Sequence, residues 1–138
     1  MRSRHVSTVI PATVTDVYAF AADPRNLPRW AAGLAQSEVD MRGDELVARS
    51  PMGEVVVRFV ARNDLGVLDH DVVLPSGTVV TNPLRVLAHP EGSEIVFTVR
   101  QIELTDDEFE RDCGMVADDL ARLRAIFTED SASATIAL

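Results

Sequence analysis

Between Gln36 and Gln101 five clusters of turn-forming residues cut the chain into six short runs, and a text of that kind folds as an antiparallel meander. The clusters are Gly43-Asp44, Pro51-Met52-Gly53, Asn63-Asp64-Leu65-Gly66, Pro75-Ser76-Gly77 and Pro90-Glu91-Gly92. They place strands near 36–42, 45–50, 54–62, 66–74, 78–88 and 94–102, and the run Arg4 to Ile10 adds a seventh. Alternation then assigns faces. Val55, Val57, Phe59 and Ala61, Leu68, His70, Val72 and Leu74, and Ile95, Phe97 and Val99 take one side. Glu54, Arg58, Arg62, Asp69, Asp71, Glu94 and Arg100 take the other, with Arg49 and Arg85. The sheet is apolar on one face only.

Two short helices fit between the first strand and the meander. Thr13, with Asp16 three residues on, starts the spacing Val14, Val17, Tyr18, Ala21; Asp23-Pro24 closes that helix and opens a second, which Pro28 and Gly33 keep brief. At the other end Thr105-Asp106-Asp107-Glu108 is a capping box. Phe109, Cys113, Val116, Leu120, Leu123 and Phe127 follow at steps of four and three, the stripe of a long amphipathic helix. Asp107 with Arg111 and Asp118 with Arg122 are spaced as i,i+4 pairs on its outer side.

A chain of 138 residues supports one domain, expected over 1–129, with 130–138 a loosely held tail. Its formal charge of −9 repels phosphate backbones, so nucleic acid is not an expected partner. No run approaches the roughly 20 apolar residues of a membrane span, and the first residues do not read as a secretory leader; the cytoplasm is the expected compartment. Cys113 is the single cysteine, which excludes an internal disulfide, and the scattered His5, His70 and His89 lack ligand spacing, so no metal site is expected. P-loop, G-x-G-x-x-G and G-x-S-x-G motifs are missing, and no cofactor is expected.

These elements imply an α+β fold with a hollow. One helix about 10 Å wide cannot tile a twisted seven-stranded sheet at about 4.8 Å per strand, so part of the apolar face is left to the short helices or to a cavity. The front segment VIPATVTDVYAFAADPRNLPRWAAGL and the terminal LTDDEFERDCGMVADDLARLRAIF, in this order of elements, resemble the START-like (SRPBCC, helix-grip) superfamily of polyketide cyclases/dehydratases and lipid-transport proteins, to about Glu129. The resemblance implies a seven-stranded curved antiparallel sheet wrapped around a long C-terminal helix. It also implies an internal cavity used by carriers and enzymes alike, which leaves the chemistry open.

Simple hairpin register across the Pro75–Gly77 turn sets His70 opposite Asn82, and a tight connection at Asn63–Gly66 sets Phe59 opposite His70. A looser register brings Gln101 beside Asn82. The row His70, Asn82, Gln101 would orient a polar group on a ligand, with Tyr18, Trp30, Phe59 and Phe97, and Val116 and Leu120 of the terminal helix, giving apolar contact. His70 is the one candidate for acid–base chemistry. It is equally readable as part of a self-satisfied cluster, Trp30 as a core anchor, and Cys113 as a buried small hydrophobe. A strand of reversed parity would instead bring an arginine inward and favour an anionic ligand. The expected function is therefore binding of a hydrophobic small molecule, lipid- or polyketide-like. The alternatives are cyclase or dehydratase chemistry in the same cavity, and a protein-interaction module, disfavoured by the charged outer face.

Overall fold

The computed structural model describes residues 1–35, 37–50 and 53–137; Gln36, Pro51, Met52 and Leu138, and with them most of the second expected turn, lie outside them. Strand β1 (Ser3–Ile10) leads to α1 (Val14–Ala21), a 3₁₀ turn at Pro24–Asn26, and the single-turn helices α2 (Leu27–Trp30) and α3 (Ala32–Ala35). Then come β2 (Glu38–Arg42), β3 (Glu45–Ser50), β4 (Gly53–Phe59), β5 (His70–Val73), β6 (Val79–Asn82), β7 (Leu84–His89) and β8 (Gly92–Arg100), followed by α4 (Asp106–Ala137). The class is α+β, with antiparallel sheets, a long C-terminal helix and short helices between the first two strands. Among the described residues no helix is long and apolar enough to cross a membrane.

Local chemistry places these elements. Thr13 Oγ1 accepts from Asp16 N at 3.1 Å, Asp23 Oδ1 from Arg25 N at 3.1 Å, and the capping box closes both ways, Glu108 N to Thr105 Oγ1 at 3.2 Å and Thr105 N to Glu108 Oε1 at 2.9 Å. Helix α4 runs through Ala137, and SASATIA contains neither glycine nor proline to interrupt it.

The sheet departs from the expected seven strands. The run 78–88 is divided at Pro83, whose nitrogen has no hydrogen to give a ladder, so β6 and β7 fall in different sheets, β2-β3-β4-β5-β6 and β1-β8-β7. The run 66–74 also shortens to β5. Asn63 explains this: its side chain bonds Leu65 N, Val67 N, Val67 O and Ala61 O, which holds the chain in a loop. The sheets meet at a seam where Val67 bridges Arg85, Leu68 N donates to Leu84 O at 2.8 Å and Val86 N to Gly66 O at 2.9 Å. Asp69, expected only to solvate the outer face, pins that seam. Its carboxylate accepts from Leu84 N and from Nε and Nη2 of Arg85, each at 2.9 Å, and the guanidinium holds it below the usual carboxylate range.

Helix α4 packs on β1, β8 and α2. Arg4 grips Glu110 with two bonds of 2.7 Å, Arg2 adds a third of 3.0 Å, and the two arginines pull the Glu110 carboxyl down to about 2. Beneath them Phe109, Cys113 and Val99 form one apolar cluster. Leu120 and Leu123 belong to the main core, with Ile10, Trp30, Leu46 and Val57 among its members.

Candidate functional site

The elements that α4 does not reach define the site. Its backbone lies against β1, β8 and α2, while the apolar face of the five-stranded sheet stands away from it, and between the two is a partly open cavity of about 540 Å³. The sheet wall is Ala48, Val55, Val72, Leu74, Val80 and Asn82; β8 adds Phe97 and Val99; the roof is Ala31, Gly33 and Leu34. Met115 and Val116 face them from α4. A second cleft, of about 510 Å³, lies by the 3₁₀ turn and the β2–β3 turn, but Asp23, Arg25, Asp44 and Arg62 border it and α4 does not. The walls under α4 suit an apolar guest better.

The polar groups of this cavity are few. Asp112 and Asp119 border it from α4, Asn82 from β6, Ser37 from the roof and Arg100 from the end of β8. Asp119 accepts from Ala32 N at 3.1 Å and from Arg122 Nη1 at 3.0 Å, and the same Nη1 donates to Trp30 O at 2.9 Å. This node ties the roof to α4, and it replaces the expected Asp118–Arg122 pair. Desolvation raises both carboxyls; for the half-buried Asp119 the Ala32 and Arg122 bonds oppose the shift, and for the exposed Asp112 the neighbouring Glu108 adds to it while Arg111 opposes it. Sequence reasoning passed over both. The signal was present as the stripe 112, 115, 116, 119, adjacent to the apolar one at helical spacing.

Of the residues nominated from sequence, Asn82, Phe97 and Val116 border the cavity together. The hairpin registers are as expected, Phe59 opposite His70 and His70 opposite Asn82. His70, however, packs as an aromatic, its ring 5.0 Å from Phe59 and 5.8 Å from Phe97, outside the lining. Tyr18 Oη accepts from Asn63 N at 2.9 Å and so holds the Asn63 loop. Trp30 and Leu120 are core, 3% and 1% exposed. Gln101 is corrected: β8 ends at Arg100, so its side chain leaves the ladder and donates to Leu104 O at 3.0 Å and Asp106 Oδ1 at 2.9 Å, at the start of α4. Arg49, Arg58 and Arg85 pair with Asp40, Glu45 and Asp69 on the outer face, while Arg100 reaches the cavity mouth despite its parity.

His70 Nδ1 lies 3.1 Å from Leu68 O, so in the neutral ring Nδ1 carries the proton and donates. Removal from water pushes its pKa below the ordinary 6.5. The folded state thus binds fewer protons than the unfolded one. The stability this contributes is complete above 6.5 and is lost as pH falls from there through the lower folded value. Urea midpoints of the wild type should fall between neutral pH and pH of about 5, and His70→Gln should flatten that part of the profile. An unchanged profile would show that His70 is not the group concerned.

The sequence profile of the family described as polyketide cyclase/dehydrase and lipid transport matches residues 1–125. No curated protein matches the sequence. Among solved structures, XoxI from Bacillus cereus is 17% identical over 95% of this chain and 99% of its own, with a TM-score of 0.72. DynU16, from the dynemicin biosynthetic locus, is 15% identical over 89% of this chain and 46% of its own, with a TM-score of 0.67. Ara h 8.0201 is 11% identical over 93% and 98%, with a TM-score of 0.62. At these identities the likeness is one of fold.

Proposed function

Because the chain belongs to the polyketide cyclase/dehydrase and lipid transport family, we propose that it binds a hydrophobic small molecule, lipid- or polyketide-like, in the cavity between α4 and the five-stranded sheet. One observation carries this reading: α4 is committed to β1, β8 and α2, and the opposing apolar face lines a space of about 540 Å³. That volume lies within the roughly 300–1,000 Å³ range of small-molecule sites. Phe97, Val72, Val80 and Val116 supply apolar contact, and Asn82 is the group that would orient a carbonyl or hydroxyl.

Native mass spectrometry of the purified protein and displacement of a neutral naphthylamine fluorophore by apolar compounds test the reading. Val80→Trp should fill the cavity and weaken binding by at least about tenfold, because an indole occupies space the guest needs. Its thermal midpoint should stay within a few degrees of the wild type. A Val80→Trp protein that binds as tightly would place the guest elsewhere.

Cyclase or dehydratase chemistry in the same cavity is the second reading, and a specific feature favours it. Asp119 is a half-buried carboxyl on the cavity wall whose burial shifts it upward, the direction that proton donation to a leaving hydroxyl requires. Incubation with a poly-β-ketone separates the readings, since a carrier returns it unchanged.

A further inference from the structure

The charged groups of the cavity have partners or water. Asp119 is held by the Ala32 N–H and the Arg122 guanidinium, and Asp112 and Arg100 are exposed, where solvent satisfies them. Asn82 differs. It is partly buried on the sheet wall, and its side-chain amide has neither a donor nor an acceptor partner among the described residues. Directly across the β5–β6 ladder stands His70, which by alternation shares its face with Val72 of the same wall. Its Nδ1–H is committed to Leu68 O at 3.1 Å, and removal from water keeps the ring neutral near pH 7. Nε2 is therefore a lone-pair acceptor, with no partner among the described residues.

Placement brings the two groups to one spot. Nε2 lies at the end of the imidazole away from the main chain, so it projects from the sheet, and Phe59 and Phe97 steady the ring at 5.0 and 5.8 Å between centroids. Phe97 itself lines the cavity, which sets His70 one side chain behind the wall at Asn82. Neither group is sealed: among the described residues the fully enclosed side-chain atoms without a partner are Trp30 Nε1 and Ser93 Oγ.

We propose that the guest carries a hydroxyl group and that Asn82 and His70 recognise it together, the amide N–H donating to the hydroxyl oxygen and the hydroxyl hydrogen going to His70 Nε2. The inference rests on the cavity reading above and narrows its polar group. A ketone oxygen accepts from Asn82 but leaves Nε2 without a donor, and a carboxylate would set its lone pairs against that of the imidazole.

Dodecanol and methyl decyl ketone have the same number of carbons and differ in whether the oxygen can donate. In competition against the neutral fluorophore the alcohol should bind about fivefold tighter or more. His70→Phe keeps a ring between Phe59 and Phe97 but removes the acceptor, so it should abolish most of that advantage while leaving the ketone's affinity within about twofold. Asn82→Leu should weaken both compounds, since both accept from the amide. In the wild type the nitrogen NMR resonance of His70 Nε2 should move upfield when dodecanol binds and stay in place with the ketone, a response that a purely structural histidine would not give. Equal affinities, an advantage that survives His70→Phe, or a stationary resonance would overturn the hydroxyl assignment while leaving the cavity in place. Failure of both compounds to displace the fluorophore would remove the cavity reading, and this inference with it.

Discussion

Gly92→Ala should destabilise the protein by on the order of 3 kcal/mol or more, against about 1 kcal/mol for Gly43→Ala. Both glycines have positive φ, 134° at Gly92 and 63° at Gly43, so both substitutions strain the backbone. The difference lies in what a methyl group meets. At Gly43 nothing lies within 4 Å, whereas at Gly92 it would stand 2.6 Å from Ile10 O and 2.8 Å from both N and O of Ala12. Those are main-chain atoms of the turn that ends β1 and cannot swing aside as a side chain would. The position also matters for the sheet, since β8 starts at Gly92 and pairs with β1 on one side and β7 on the other. Urea unfolding of the two variants checks the contrast, and equal midpoints would show that the close approach is absent in solution.

Leu123→Ala should cost about 3–4 kcal/mol, while Met115→Ala, two turns earlier on the same helix, should cost less than about 1 kcal/mol. Leu123 is fully buried in the main core, where truncation leaves a void that its packed neighbours cannot close. Met115 is 47% exposed and already borders open space, so its removal enlarges a cavity rather than creating one. The pair therefore reads whether α4 has a solid side and a hollow side. Comparable losses at the two positions would mean that the space beside Met115 is filled, and would count against ligand binding there.

What could be read in advance follows how local each determinant is. The caps at Thr13 and Thr105 and the registers of His70 with Phe59 and Asn82 depend on residues close in sequence or joined by short loops, where the chain has little freedom to do otherwise. The division at Pro83 was visible as a residue but not as an outcome, because one proline within a run can mark an edge, a bulge or a change of sheet. Gln101 was misplaced by the length of β8, which ends one residue before it. Asp112 and Asp119 escaped for a deeper reason. A helix surface that borders a void is as polar in sequence as one that borders solvent, so periodicity alone reports which side meets the core and not which meets a cavity. Tertiary packing draws that distinction.

The chain contains one tryptophan, which sits at 3% exposure between the roof segment and α4, and its indole N–H has no acceptor among the described residues. Tryptophan emission from this protein, excited beyond the tyrosine band, therefore arises at a single address, next door to Ala31 of the cavity roof. The molecule carries its own optical gauge, and changes where the roof meets the long helix can be followed by light without attaching a dye.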